Sequence, residues 1–215
     1  MSPMPEGLLD ALTLEEVKDL FAFVRGEQAP GAGEDARADE ASEWVALFRG
    51  RQRSGWRHDE RWREKGGVLV GSSPGIERTS WILSKGSFDD FEAEFDVWLS
   101  GGNSGFQYRS ALPDGGEPVG YQLDLGLGDW GSLYASDGRG TLASGRGWHA
   151  VVDLAGWNHV HLRAEGDRHV IEINGAVLAD VRDGAHASGV IGFQLHEGAA
   201  MEVRIANARI RPLGR

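Results

Sequence analysis

The stretch DFEAEFDVWLSGGNSGFQYRS, residues 90–110, decides the fold. In its first half Phe91, Ala93, Phe95, Val97 and Leu99 alternate with Glu92, Glu94, Asp96 and Trp98. Successive side chains of a strand point to opposite faces, so this run is a strand with one apolar and one polar face. After a glycine pair the alternation resumes, with Phe106 and Tyr108 on one side and Gln107 and Arg109 on the other. The run GYQLDLGLGDWGSLY at 120–134 repeats it: Gln122 and Asp124 fall together, with Tyr121, Leu123 and Leu125 behind them. If these two strands pair, an arginine, an acid and two amides share one sheet face. A solvated face would show the same alternation without any function. Gly101, Gly102 and Gly105, beside Asn103 and Ser104, favour a site, because glycine inside a strand marks a bulge or a close backbone approach.

Outward from this stretch, short alternating runs broken by glycine continue from Trp44 to the C-terminus. They predict strands at 67–71, 79–84, 89–99, 104–110, 120–125, 130–135, 148–153, 157–164, 168–174, 177–182, 189–196 and 201–211. Asn174-Gly175 joins HVIEING to AVLADV as a tight hairpin. Glycine makes up 32 of 215 residues with no strict period, about twice the usual share of roughly 7 %, as many short turns require. The expectation is an all-β sandwich of two antiparallel sheets in one domain over residues 44–215.

Ahead of it, residues 8–24 carry apolar side chains at helical spacing, with Thr13 and Glu16 placed as a capping box, and predict one short helix within residues 1–25. Residues 26–43 are mostly Gly, Ala, Asp and Glu, the composition of a flexible linker.

A formal charge of −11 argues against nucleic-acid binding, whose affinity comes from Lys and Arg neutralising phosphates. The absence of cysteine excludes disulfides, thiolate metal sites, a cysteine nucleophile and covalent haem attachment within these residues. No apolar run is long enough to span a membrane, and no basic-then-apolar signal peptide opens the chain. No P-loop fingerprint is present, which sets aside P-loop nucleotide chemistry.

The ordered blocks LFRGRQRSGW (47–56), RWREKGGVLVG (61–71), DFEAEFDVWLSGGNSGFQYRS, GYQLDLGLGDWGSLY, WNHVHLRAEGDRHVIEINGAVLADV (157–181) and GVIGFQLHEGAAMEVRIANARIRPL (189–213) resemble the 3-keto-disaccharide hydrolase domain family over residues 44–213. The resemblance implies a concanavalin A-like jelly roll and a bacterial, often exported domain, periplasmic or extracellular, acting on glycosides oxidised at C3. It equally admits a module that binds carbohydrate without cleaving it, or an interaction domain of a larger protein. The first 25 residues resemble the end of a monohaem cytochrome c domain, where a Met-Pro pair precedes the last helix. Met4 has no attached haem to ligate here, so the segment reads as a remnant of a multidomain protein or as an ordinary helix.

A ketone at C3 acidifies the C2 proton, so the chemistry needs a base, a group to hold the enolate oxygen and an acid for the leaving oxygen. Asp124 is the expected base, or a metal-binding carboxylate. Arg109 is the expected enolate clamp, and His196, two residues after Gln194, the expected proton carrier. Asp96 is expected to extend the cluster if its strand neighbours 104–110. Asn103, Gln107, Gln122 and Gln194 are candidate sugar ligands, and Trp130 and Tyr134 a candidate stacking platform. Trp56, Trp62, Trp81 and Trp157 read as core. A divalent cation such as calcium is common in this fold and would need only oxygen ligands, none of which the sequence singles out.

Overall fold

The computed structural model describes residues 43–48, 55–114, 116–126 and 128–214; the expected helix at 8–24 and all of the linker at 26–43 except Glu43 lie outside them. Among the described residues fifteen strands, β1 to β15, form two antiparallel sheets.

The first sheet holds β1 (Val45–Ala46), β3 (Trp62–Lys65), β4 (Val68–Ser73), β6 (Phe91–Ser100), β11 (Asn158–Glu165), β12 (Arg168–Ile173), β13 (Ala176–Arg182) and β15 (Met201–Pro212). Its order is β13-β12-β11-β6-β15-β4-β3, and β1 also pairs with β15. The second holds β2 (Trp56–Arg57), β5 (Ser80–Ser84), β7 (Asn103–Ala111), β8 (Val119–Gly126), β9 (Leu133–Ala135), β10 (Gly140–Ala143) and β14 (Val190–Leu195), in the order β10-β9-β8-β7-β14-β5-β2. The sandwich follows from the alternation: each sheet has one apolar face, and packing those two faces together removes both from water. Phe91, Phe95 and Val97 from β6 meet Phe106, Tyr108 and Phe193 from the opposite sheet. Phe95 stands edge-on to Phe193, with ring centroids 5.1 Å apart and planes at 90°, a favoured aromatic geometry.

Two expectations of local structure change. Residues 148–153 are not a strand: Trp148–Ala150 form a 3-10 turn after Gly147, whose φ is 74°. The amides of Val151 and Val152 both donate to the Trp148 carbonyl, closing the chain on itself. Short β1, β2, β3 and β10 lack a long enough alternation to stand out in sequence.

The link from β6 to β7 positions the site. Gly101 and Gly102, at φ 67° and 70°, carry the chain from one sheet to the other rather than turning it back as a hairpin. The polar faces of β6 and β7 therefore point outward on opposite sides of the molecule.

Candidate functional site

β7, β8 and β14 lie side by side in the second sheet, with Gly105 opposite Asp124, Gln107 opposite Gln122, and Gly192 opposite Gln107. Their outward-pointing residues line a hollow of about 510 Å³ that includes Asn103, Gln107, Gln122, Asp124, Tyr134, Gln194 and His196. Seven of the ten expected site residues thus come together.

Gly105 makes this packing fit, since a Cβ there would stand 2.6 Å from the Gln122 side chain. Gln122 consequently lies flat, and its Nε2 donates to Asp124 Oδ1 at 2.7 Å and, over 3.4 Å, to Gln194 Oε1. Asp124 is only 8 % exposed. Burial raises its pKa to about 7, and nearby Asp129 pushes the same way. The Gln122 hydrogen bond and the field of His196 oppose this without cancelling it. His196 donates from Nδ1 to the Glu197 carbonyl at 2.8 Å, and its ring lines the hollow. Tyr134, 37 % exposed, offers its ring at the edge.

Gln107 is fully buried, and its Nε2 is anchored on Ser110 Oγ at 2.7 Å. Its Oε1, like Asn103 Oδ1, has no donor among the described residues. Buried acceptors are rarely left so, and the hollow is where a ligand hydroxyl could reach them.

Three expected residues lie elsewhere. Arg109 was expected on the Gln107 face, but β7 carries one extra residue against β14 between Gln107 and Ser110, and Arg109 takes φ 45°. The bulge shifts the alternation by one, so Ser110 stands beside Gln107 and Arg109 turns away. Its guanidinium, 0 % exposed, donates to the carbonyls of Asp89, Ala164 and Gly166 and to the Asp90 carboxylate. Arg109 is a structural clamp, not an enolate ligand. Asp96 faces outward from the first sheet, between His159 Nδ1 at 2.9 Å and Asn207 Nδ2 at 2.7 Å. The sheet change at Gly101-Gly102 put it there. Trp130 was expected to share a face with Tyr134, but β9 begins only at Leu133, and Gly131 at φ 74° breaks the phase. Trp130 packs in the core instead, 2 % exposed.

Sequence reading also missed members of the hollow. Trp81, expected in the core, points outward opposite Gln194, and its Nε1 donates to the Glu117 carboxylate. The signal was present: Ile82 belongs to the core, so its neighbour on the strand must face out. Glu117, Asp129 and Glu197 come from turns, where no periodicity marks them.

Among the described residues no three His, Asp or Glu side chains converge as metal ligands. No described helix is long and apolar enough to cross a membrane.

The first sheet's outer face has a larger hollow of about 580 Å³ around Asp96, but its acids are all matched: Glu94 with Arg209, and Asp96 with His159 and Asn207. The unsatisfied hollow on the second sheet is the candidate site.

A two-sheet sandwich with a polar, aromatic-edged hollow on one outer sheet face defines a lectin-like class of protein. Within it, the chain belongs to the 3-keto-alpha-glucoside-1,2-lyase-like domain family, whose model matches residues 43–211. Solved structures of the same fold include a candidate glycosyl hydrolase from Parabacteroides distasonis ATCC 8503, 20% identical with a TM-score of 0.62, covering 80% of this chain and 100% of that one. The carbohydrate-binding module CBM66 from Bacillus subtilis is 22% identical with a TM-score of 0.57, covering 73% of this chain and 95% of its own. A Bacillus subtilis protein of unknown function with a galectin-like fold is 14% identical with a TM-score of 0.61, covering 79% and 94%. No curated protein matches the chain.

Proposed function

We propose that the hollow on the second sheet binds glycosides oxidised at C3 and cleaves them by elimination, with Asp124 as the base. The observation that carries this is a buried carboxyl whose pKa of about 7 suits proton exchange at neutral pH, set in a polar hollow of sugar size. The family's description names the same bond.

The ketone withdraws electrons from C2, so ionised Asp124 can remove the C2 proton. The electron pair enters the ring as an enolate, re-forms the C3 carbonyl as the C1–C2 double bond develops, and expels the C1 oxygen substituent. His196, protonated at Nε2, gives the leaving oxygen its proton. Water added across the new double bond would make the net reaction a hydrolysis. Arg109 is absent from the face, so the enolate oxygen falls to side-chain amides. Gln194 accepts from Gln122 through Oε1, which turns its Nε2 outward as the donor.

The second reading is a module that binds carbohydrate without cleaving it. Tyr134 and Trp81 at the edge of the hollow favour it, since aromatic faces hold sugars without any chemistry. Incubation with 3-keto-trehalose, following sugar release beside an Asp124→Asn variant, separates the two. Turnover by the parent alone supports elimination, equal turnover removes Asp124 from the mechanism, and binding without turnover leaves the module.

A further inference from the structure

Charge is distributed unevenly in this hollow. Glu117, Asp124, Asp129 and Glu197 line it, and against them stands only His196, with no lysine or arginine among the lining residues. Three of the four acids, Glu117, Asp129 and Glu197, are exposed at the rim, whereas Asp124 lies at the floor. Elsewhere several acids are matched by arginine, as with Asp180 on Arg168, Asp167 on Arg182 and Asp183 on Arg139. At the rim the one acid with a side-chain partner, Glu117, takes its hydrogen bond from the neutral Trp81 indole.

Hydrogen bonding is uneven in the same sense. Gln107, fully buried and lining the hollow, presents Oε1 with no donor among the described residues, and Asn103 presents Oδ1 likewise. Gln122 Nε2 is already committed to Asp124 and Gln194. Two buried amide oxygens lack a donor, and negative charge outnumbers positive among the lining residues. A neutral sugar hydroxyl can donate to such acceptors but does nothing for the charge. A carboxylate or phosphate would meet repulsion from the rim and few donors. A protonated amine meets both requirements.

From this we infer that the site selects glycans carrying a free ammonium group, held at the acidic rim beside the reacting ring, over neutral or acidic glycans. The inference rests on the glycan reading of the hollow and adds the charge of its ligand. Trehalose, its 2-amino-2-deoxy analogue and its uronic acid analogue share one skeleton with charges of zero, plus one and minus one. Their affinities can be compared by calorimetry at pH 6 and low salt. The amine should bind about tenfold tighter than trehalose and the uronic acid several-fold weaker, as unpaired charges at partly exposed distances allow. In high salt the gap should narrow. An Asp129→Asn, Glu197→Gln double variant, shown by thermal unfolding to be folded, should shrink the preference to about twofold, because the rim charge is then largely gone. Equal affinity for trehalose and the amine overturns the inference while leaving a glycan site. A preference that survives the double variant overturns it as well, and failure of all three sugars to bind overturns it together with the glycan reading.

Discussion

The two outer faces of the sandwich look alike in sequence and differ in kind. On the first sheet Glu92 sits between Arg163 and Arg211, Glu94 takes Arg209, Asp96 takes His159 and Asn207, and Glu202 takes Arg204. On the second, Asp124 is buried against an amide, and two amide oxygens face no donor. Both faces alternate polar with apolar residues, so polarity alone separates nothing. What separates them is how the acids are held: on the first face they are paired within the protein, whereas on the second Asp124 has no cation in contact and two amide oxygens near it have no donor among the described residues. The two buried acids express this as opposite shifts. Burial would push Glu92 up, but hydrogen bonds from Arg211 and Arg163 outweigh it and hold its pKa below the usual value. Asp124, with no cation in contact, stays raised to about 7.

The sharpest test of the contrast is activity. On a 3-keto-glycoside, Asp124→Asn should lower kcat/KM by roughly 10²–10⁴-fold, the usual worth of a positioned base. The parent rate should rise with pH through about 7 as Asp124 ionises, and that limb should be missing from any residual activity of the variant. A variant within threefold of the parent would place the base elsewhere.

Next in size is the clamp that joins the two sheets. Replacing Arg109 by Met leaves the Asp90 carboxylate and three carbonyls without their donor, which should cost about 3–5 kcal/mol in chemical denaturation. Lysine should not rescue it, since an ammonium cannot reach four acceptors spread around a planar guanidinium. A loss below about 1 kcal/mol would mean that the bulge does not depend on its arginine.

These residues also show where sequence is informative. The alternation of Phe91 to Leu99, the Asn174-Gly175 hairpin and the pairing of Gln122 with Asp124 are local, and each was legible because period two holds within a single strand. Arg109 was misplaced by one bulged residue, Trp130 by one glycine that resets the phase, and Asp96 by a connection that changes sheets. Those events depend on which strand lies opposite, and that is decided by long-range packing that no local pattern carries. Trp81 was the avoidable miss, because the core position of Ile82 already turned it outward.

The opposite pKa shifts give a third test. Asp124 binds its proton more tightly in the folded chain, so between pH 4 and 7 the native state holds more protons and stability falls as pH rises. Asp124→Asn should remove that fall, leaving the variant roughly 3–4 kcal/mol more stable than the parent at pH 8, relative to their difference near pH 4. Glu92 has the reverse sign: its contribution is present above the ordinary glutamate pKa and lost as pH drops through the lowered one. Glu92→Gln should therefore destabilise by about 1–3 kcal/mol at pH 7 and by less in acid. If the stability difference from the parent moved in the same direction with rising pH in both variants, the contrast between the faces would fail.

The smallest expected effect bears most directly on where the site ends. Asp96 shares the acidity and strand position that once placed it beside the hollow, yet it points from the other sheet into a network of its own. Its partner His159 is half exposed, so water and salt screen the pair, and such contacts are worth about 0–1 kcal/mol. Asp96→Asn should leave turnover within twofold and shift stability by less than about 1 kcal/mol. A tenfold loss of activity would require chemistry to reach through the apolar core from one outer face to the other. Because Phe95 and Val97, flanking Asp96 on β6, pack fully buried between the sheets, no ligand in the hollow can touch it.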